Sequence, residues 1–174
     1  MNLWHEIEPG TKEAINVIVE IPKGSKNKYE IDKKTGLIAL DRVMHTGQDY
    51  PFDYGFVPQT LWHDGDAVDV VILSTYPFAP GILVKVRPVG LMHIVDHGDR
   101  DDKIIAVPKE DPRFNNVKDI EDVNEHTLKE IQHFFETYKD LQEKVVVVSG
   151  HKSKKEAEDV FEGGLRLYFE KYPK

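Results

Sequence analysis

From residue 43 to residue 84 the chain holds no lysine or arginine, yet Asp49, Asp53, Asp64, Asp66 and Asp69 all fall there. Cations are not scarce elsewhere, since Lys and Arg make up 23 of 174 residues. Three of the acids crowd into Asp64-Gly65-Asp66-Ala67-Val68-Asp69. Carboxylates held together repel one another and are costly to take out of water. Chains tolerate such crowding where a metal ion supplies the missing positive charge, and the pattern points to function for that reason.

At 174 residues the chain suits one domain, 1–174, with a core that needs no staples. The net charge of −8 argues against a nucleic-acid binder, whose footprint would be basic. Cysteine is absent, which excludes disulfides, thiolate metal sites and cysteine nucleophiles. Met1 to Glu6 has neither the basic nor the apolar part of a secretory signal, and no apolar run would cross a bilayer, so the reading is a cytoplasmic protein without membrane contact.

Most of the first 110 residues read as strands. Residues 14–21 alternate, with Ile15, Val17, Val19 and Ile21 on one face and Ile18 and Glu20 on the other; Glu20 taken singly is a solvent-facing residue. Residues 28–32 and 37–43 form a hairpin about the turn Lys33-Lys34-Thr35-Gly36. Further strands are expected at 68–73, 82–89, 91–95 and 103–107. Residues 144–149 are nearly all valine, which predicts burial on both faces. Tyr50 to Phe56 reads as an aromatic turn.

Two helices are expected late in the chain. Leu128, Ile131, Phe135, Tyr138 and Leu141 recur at helical spacing between about residues 125 and 141, behind Asn124 as a cap. A second helix opens on the capping box Ser153-x-x-Glu156 and points Ala157, Val160 and Phe161 inward, with Gly163-Gly164 as a kink or an end. The sum is an α+β, mainly β fold whose sheet closes or nearly closes into a barrel, with two α-helices packed on it.

Asp64-Gly65-Asp66 reads as a tight turn feeding a strand in which Asp69 shares a face with Val71 and Leu73. Sequence neighbours offer Asp69 only more carboxylates. A solvated acidic turn is one reading. An EF-hand fits poorly, because Asp69 and Thr75 occupy the positions where that loop needs Gly and Glu. The third reading is an open Mg²⁺ site assembled from separate segments. The second acidic loop, Asp96-His97-Gly98-Asp99-Arg100-Asp101-Asp102, could meet the first if both adjoin strands of one barrel.

A metal site of this kind leaves room for substrate phosphates, so anion-binding groups should accompany it. Lys28 and Glu30 share a strand face, Arg42 ends the next strand, and Tyr138-Lys139 closes the first helix. Each taken singly is an ordinary surface or core residue; only the ensemble points to chemistry.

That ensemble resembles family I soluble inorganic pyrophosphatases of the short prokaryotic type. The central motif Asp64-Gly65-Asp66-Ala67-Val68-Asp69-Val70 is joined, in order, by Glu20-Ile21-Pro22, Lys28-Tyr29-Glu30-Ile31-Asp32, Asp41-Arg42, Tyr50-Pro51-x-x-Tyr54-Gly55, Arg87-Pro88-Val89-Gly90, Asp96…Asp101-x-Lys103 and His133-Phe134-Phe135-Glu136-x-Tyr138-Lys139. The Asp99-Arg100 pair and the tail after Gly150 follow the pattern less closely.

The resemblance implies an OB-type barrel and Mg²⁺-dependent hydrolysis of inorganic diphosphate to two orthophosphates by a metal-activated water, which drives diphosphate-releasing biosynthesis forward. It implies several Mg²⁺ ions per site. Asp64, Asp69 and Asp101 would hold the first, with Asp69 shared by a second. Asp96 and Asp101 would hold one delivered with substrate, and Glu20 would lie close to another. Asp66 would be the general base, and Lys28, Arg42, Tyr54, Lys103, Tyr138 and Lys139 would hold phosphate oxygens. It also suggests a homohexamer; His133 on the first helix is a candidate interface residue, with a core or surface role an equal alternative. Two other classes stay open on the residues alone: a non-catalytic Ca²⁺-binding barrel and an OB-type nucleic-acid module.

Overall fold

Ten strands, two α-helices and three short 3₁₀ turns make up the computed structural model, which describes residues 1–173. The strands are β1 (Gly10–Thr11), β2 (Ala14–Ile21), β3 (Asn27–Ile31), β4 (Ile38–Val43), β5 (Asp53–Phe56), β6 (Asp69–Ile72), β7 (Leu83–Asp96), β8 (Asp99–Arg100), β9 (Lys103–Pro108) and β10 (Val146–Lys152). The helices are α1 (Glu125–Thr137) and α2 (Lys154–Lys171).

Strands pair in the order β2-β5-β6-β9-β7, and β7 returns to pair with β2, so the ring closes. This is the OB-type barrel, with β10 and β8 added to β7 and the β3–β4 hairpin standing apart as a two-stranded sheet. All pairings are antiparallel except β6–β9, where Asp69 lies opposite Lys103.

The expected strands at 82–89 and 91–95 are one strand. Gly90 does not break it; the register shifts there instead, and a side chain at 90 would meet Ile120 at 2.4 Å. A bulge lets one long strand bend between two partners, β2 early and β10 late. The aromatic turn at 50–56 also proves to hold a buried strand, β5.

Alternation sends the two faces of β6 and β9 to different neighbours. Val70, Ile72, Ile104 and Ala106 pack towards α2 with Ala157, Val160 and Phe161. Val71, Ile105 and Val107 pack towards α1 with Leu128, Ile131, Phe134 and Phe135. Tyr50, Phe52 and Tyr54 stack into the α1 side, with Tyr50–Phe134 and Phe52–Phe135 centroids 4.7 and 5.4 Å apart. Such pairs add about 0.5–1.5 kcal/mol each beyond their burial.

Asn124 caps α1 as expected, accepting from the His126 and Thr127 amides. The helix is shorter than its periodicity suggested: it ends at Thr137, and Leu141 lies outside, 69% exposed. Valine content misled for β10, which is an edge strand. Val146 is buried, but Val147 is 53% exposed and Val145, just outside the strand, 75%.

Gly163 and Gly164 neither kink nor end α2, which runs unbroken from its Ser153 capping box. They let the helix lie close to the barrel. A Cβ on Gly164 would sit 2.5 Å from Val68 Cγ2, and one on Gly163 3.2 Å from the Trp62 ring. Gly164→Ala is therefore expected to destabilise the protein by about 1–3 kcal/mol through overpacking, against a helix-propensity gain of about 1 kcal/mol. Chemical denaturation measures this; an unchanged or raised midpoint would mean that Val68 yields freely.

Candidate active site

All twelve residues singled out from the sequence line one cleft of about 710 Å³: Glu20, Lys28, Arg42, Tyr54, Asp64, Asp66, Asp69, Asp96, Asp101, Lys103, Tyr138 and Lys139. The cleft lies between one end of the barrel, the β3–β4 hairpin and the residues that follow α1.

Asp69 opens β6, Asp64 comes from the turn before it, and Asp101 precedes β9. One carboxylate oxygen of each lies within 4.8 Å of the others. The separate acidic loops thus meet. Burial first, then the charge of Asp69, pushes the Asp64 carboxyl up to about 7. Asp69 is likewise raised by burial and by Asp101, with Lys103 opposing.

The partner that Asp69 lacks among its sequence neighbours comes from a distant strand. Across the parallel β6–β9 pair, Lys103 places its ammonium 2.6 Å from Asp69 and 2.6 Å from Asp101, with only 4% of its side chain exposed. Burial by itself would lower the lysine, but Asp69, Tyr54 and Asp101 outweigh it and hold its pKa well above the ordinary value. The cation-free stretch is compensated from outside in one further place, where Lys33 pairs with Asp66, and Lys139 pairs in the same way with Asp96 of the second acidic loop.

Glu20 is also corrected, from solvent-facing to buried, with 5% exposed. Ile18, on the same face of β2, lies opposite Phe56, and Phe56 lies opposite Asp69, so this face is turned to the cleft and not to solvent. There it accepts a 2.8 Å hydrogen bond from the Ile31 amide. Desolvation and the nearby Asp69 raise its pKa well above the usual carboxylate range.

A second bulge shapes the hairpin wall. Lys28 faces Arg42 and Tyr29 faces Leu40, which leaves Asp41 extra. Lys28 donates to Asp41 and to Glu30 at 2.8 Å each, and Arg42 donates to Asp41 at 2.7 Å. Sequence reading missed Asp41 as a partner here, and nothing short of the register could have shown it. Trp4 and Lys33, on the rim, were missed as well; the Lys33 ammonium lies 5.7 Å over the Trp4 ring.

Tyr138 reaches the cleft as the last residue of the α1 stripe, stacked on Phe134 at 5.2 Å. The chain leaves α1 just beyond it, so Lys139 can turn to Asp96.

Comparison with known proteins bears on what such a cleft does. Residues 17–168 match the inorganic pyrophosphatase family. An inorganic pyrophosphatase of Leifsonia xyli is 49% identical, over 87% of this chain and 94% of that protein. Soluble inorganic pyrophosphatase 1 of Arabidopsis thaliana is 44% identical, over 96% and 80%. The crystal structure of inorganic pyrophosphatase from Thermus thermophilus superposes with a TM-score of 0.92 at 45% identity, covering 97% of this chain and 99% of that one. Among the described residues no helix is long and apolar enough to cross a membrane. With the family matched over nearly its whole length and the fold shared throughout, the chain belongs to the inorganic pyrophosphatases, hydrolases of diphosphate.

Proposed function

We propose that the chain, acting as one catalytic domain, hydrolyses diphosphate with Mg²⁺ as its metal, several ions to a cleft, and with water attacking phosphorus directly. The observation that carries this reading is the approach of Asp64, Asp69 and Asp101 to within 4.8 Å in a cleft also lined by Lys28, Arg42 and Lys139. An all-carboxylate set suits a hard cation. Two features of the site agree with it: Asp69 and Asp101 already share one cationic group, and Asp96 keeps a buried Oδ1 without a hydrogen-bond partner.

Asp64, Asp69 and Asp101 would hold the first Mg²⁺, Asp69 also a second, Asp96 and Asp101 one arriving with substrate, and Glu20 would stand beside another. Bound Mg²⁺ supplies positive charge that acidifies water and neutralises phosphate oxygens. The remaining tasks fall to side chains. Arg42 can grip two oxygens at once, while Lys28, Lys103 and Lys139 act as point charges and Tyr54 and Tyr138 offer phenolic O–H donors. Asp66, exposed at the mouth, takes the proton from the attacking water. Its ion pair with Lys33 is exposed on both sides, worth little, and readily exchanged. Positioning and electrostatics suffice for phosphoryl transfer to water, so no covalent enzyme intermediate is required.

A colorimetric phosphate assay tests the whole reading. Phosphate release from diphosphate is expected to require Mg²⁺ and to fall when Ca²⁺ competes. Undiminished release after exhaustive chelation would overturn the metal dependence.

Asp64 gives the site a pH signature. Its carboxyl holds a proton up to about pH 7, and ligation needs the carboxylate. Raising the pH through 7 should therefore tighten Mg²⁺ binding to the substrate-free protein, with proton release on binding below that pH. Titration calorimetry in buffers of different ionisation enthalpy measures both; affinity flat from pH 6 to 8 would contradict it. The same proposal includes a cytoplasmic homo-oligomer, a hexamer on the family pattern, which light scattering on the eluting protein can check.

A further inference from the structure

The Asp99-Arg100 pair, one of the two places where the chain follows the family pattern less closely, has no part in the mechanism above. Arg100 is not among the residues that line the cleft. It nevertheless touches both acidic segments. On its own side, β7 and β8 form a hairpin closed by His97 and Gly98, both at positive φ (49° and 84°), with Val95 opposite Arg100. Two residues on, Asp102 is fully buried by its side chain; one carboxylate oxygen accepts from Arg100 at 2.7 Å and the other meets His93 Nδ1. On the far side, the Arg100 guanidinium lies 5.3 Å over the Trp62 ring.

Trp62 belongs to the first acidic turn. Its amide donates to the Asp66 carbonyl at 2.7 Å, and its carbonyl accepts from the Gly65 amide at 3.0 Å. The indole rests against Gly163 of α2. Asp101 lines the cleft, whereas the side chain of its neighbour Asp102 is fully buried outside it. Whatever holds Asp102 in the interior therefore aims Asp101 at the cleft.

We propose that Arg100 is a positioning residue: it clasps the hairpin that carries Asp101 to the turn that carries Asp64 and Asp66, through Asp102 on one side and the Trp62 face on the other, and so sets the spacing of the metal-binding carboxylates. The proposal rests on the reading of Asp64, Asp69 and Asp101 as a metal site. An arginine suits the task because its flat guanidinium can stack on an indole while its edge bonds a carboxylate.

Mn²⁺ binding to the substrate-free protein, followed by electron paramagnetic resonance, tests it directly. Arg100→Ala is expected to weaken binding at the tightest site about five- to tenfold, and Arg100→Lys, which returns the charge opposite Asp102 but not the flat group over Trp62, to recover only part of the loss. The Mg²⁺ concentration for half-maximal turnover should rise by the same factor, with turnover restored by excess metal. Should Arg100→Ala fail to fold because Asp102 is left buried with too little charge opposite it, Arg100→Gln combined with Asp102→Asn removes that charge and should show the same weakening. Affinity within twofold of the parent, alongside a lower melting temperature, would make Arg100 a brace for stability only and overturn the clasp. A parent protein that binds no Mn²⁺ would instead overturn the metal reading, and the proposal with it.

Discussion

Asp66→Asn is expected to lower turnover at saturating Mg²⁺ by at least ~100-fold while the protein stays folded and still binds metal. Asparagine has the same shape but cannot accept a proton to any useful degree. Asp66 is exposed, and its recorded partners are its own turn and Lys33, so little structure depends on its charge. Metal affinity should change little, since Asp66 lies outside the cluster of Asp64, Asp69 and Asp101. A variant with near-normal phosphate release would remove Asp66 from the proton-accepting role. Lost release together with lost metal binding would assign it to the metal site instead.

The largest effect on stability is expected at Lys103. Lys103→Met keeps most of the aliphatic stem but removes the ammonium that Asp69 and Asp101 share. Breaking a buried ion pair by deleting one partner costs about 3–5 kcal/mol, and proton uptake by the remaining acids should keep the loss near the lower figure. Its pH dependence has a definite sign. The Lys103 pKa is raised in the folded state, so its contribution is complete at neutral pH and would fade only above the ordinary lysine range. Asp64 is raised from 3.8 to about 7, so below 7 it is largely neutral and repels less. The damage from Lys103→Met should therefore grow from pH 5 to pH 7. Excess Mg²⁺ should restore more stability to the variant than to the parent, because the ion binds only the folded site and replaces the missing charge. Thermal denaturation at both pH values, with and without Mg²⁺, measures all of this. A loss of stability independent of pH and Mg²⁺ would point to packing of the lysine stem and not to its charge.

Lys103 also marks where reading the chain runs out. Spacing in the sequence placed Asp64, Asp66 and Asp69 at the start of a strand, and the strand is there. It could not say that the residue opposite Asp69 would be Lys103, 34 positions later. That depends on the parallel pairing of β6 with β9, which no local pattern encodes. Glu20 fails for a related reason. Alternation groups it with Ile18, and only the sheet shows that this face turns inward, opposite Phe56 and Asp69, instead of to solvent. The same holds for Asp41, left extra by the bulge in the β3–β4 hairpin.

Local signals were read well where local physics decides. The Asn124 and Ser153 caps, the α1 stripe and the β3–β4 turn each depend on groups a few residues apart. Valine-rich β10 and the paired glycines of α2 were misread because burial at an edge and the closeness of a helix to a sheet are properties of the neighbours.

By itself, then, the amino-acid order determined that this protein carries an acidic segment, strands early, helices late, and a set of cationic and phenolic groups in family order. Only the tertiary structure decided which lysine meets which aspartate, how far the three carboxylates stand apart, and that Arg100 bridges the two loops that hold them. The reason is range. Periodicity and capping act over a few residues, whereas the spacing of charges in the cleft is set by barrel closure and register between strands far apart in the chain.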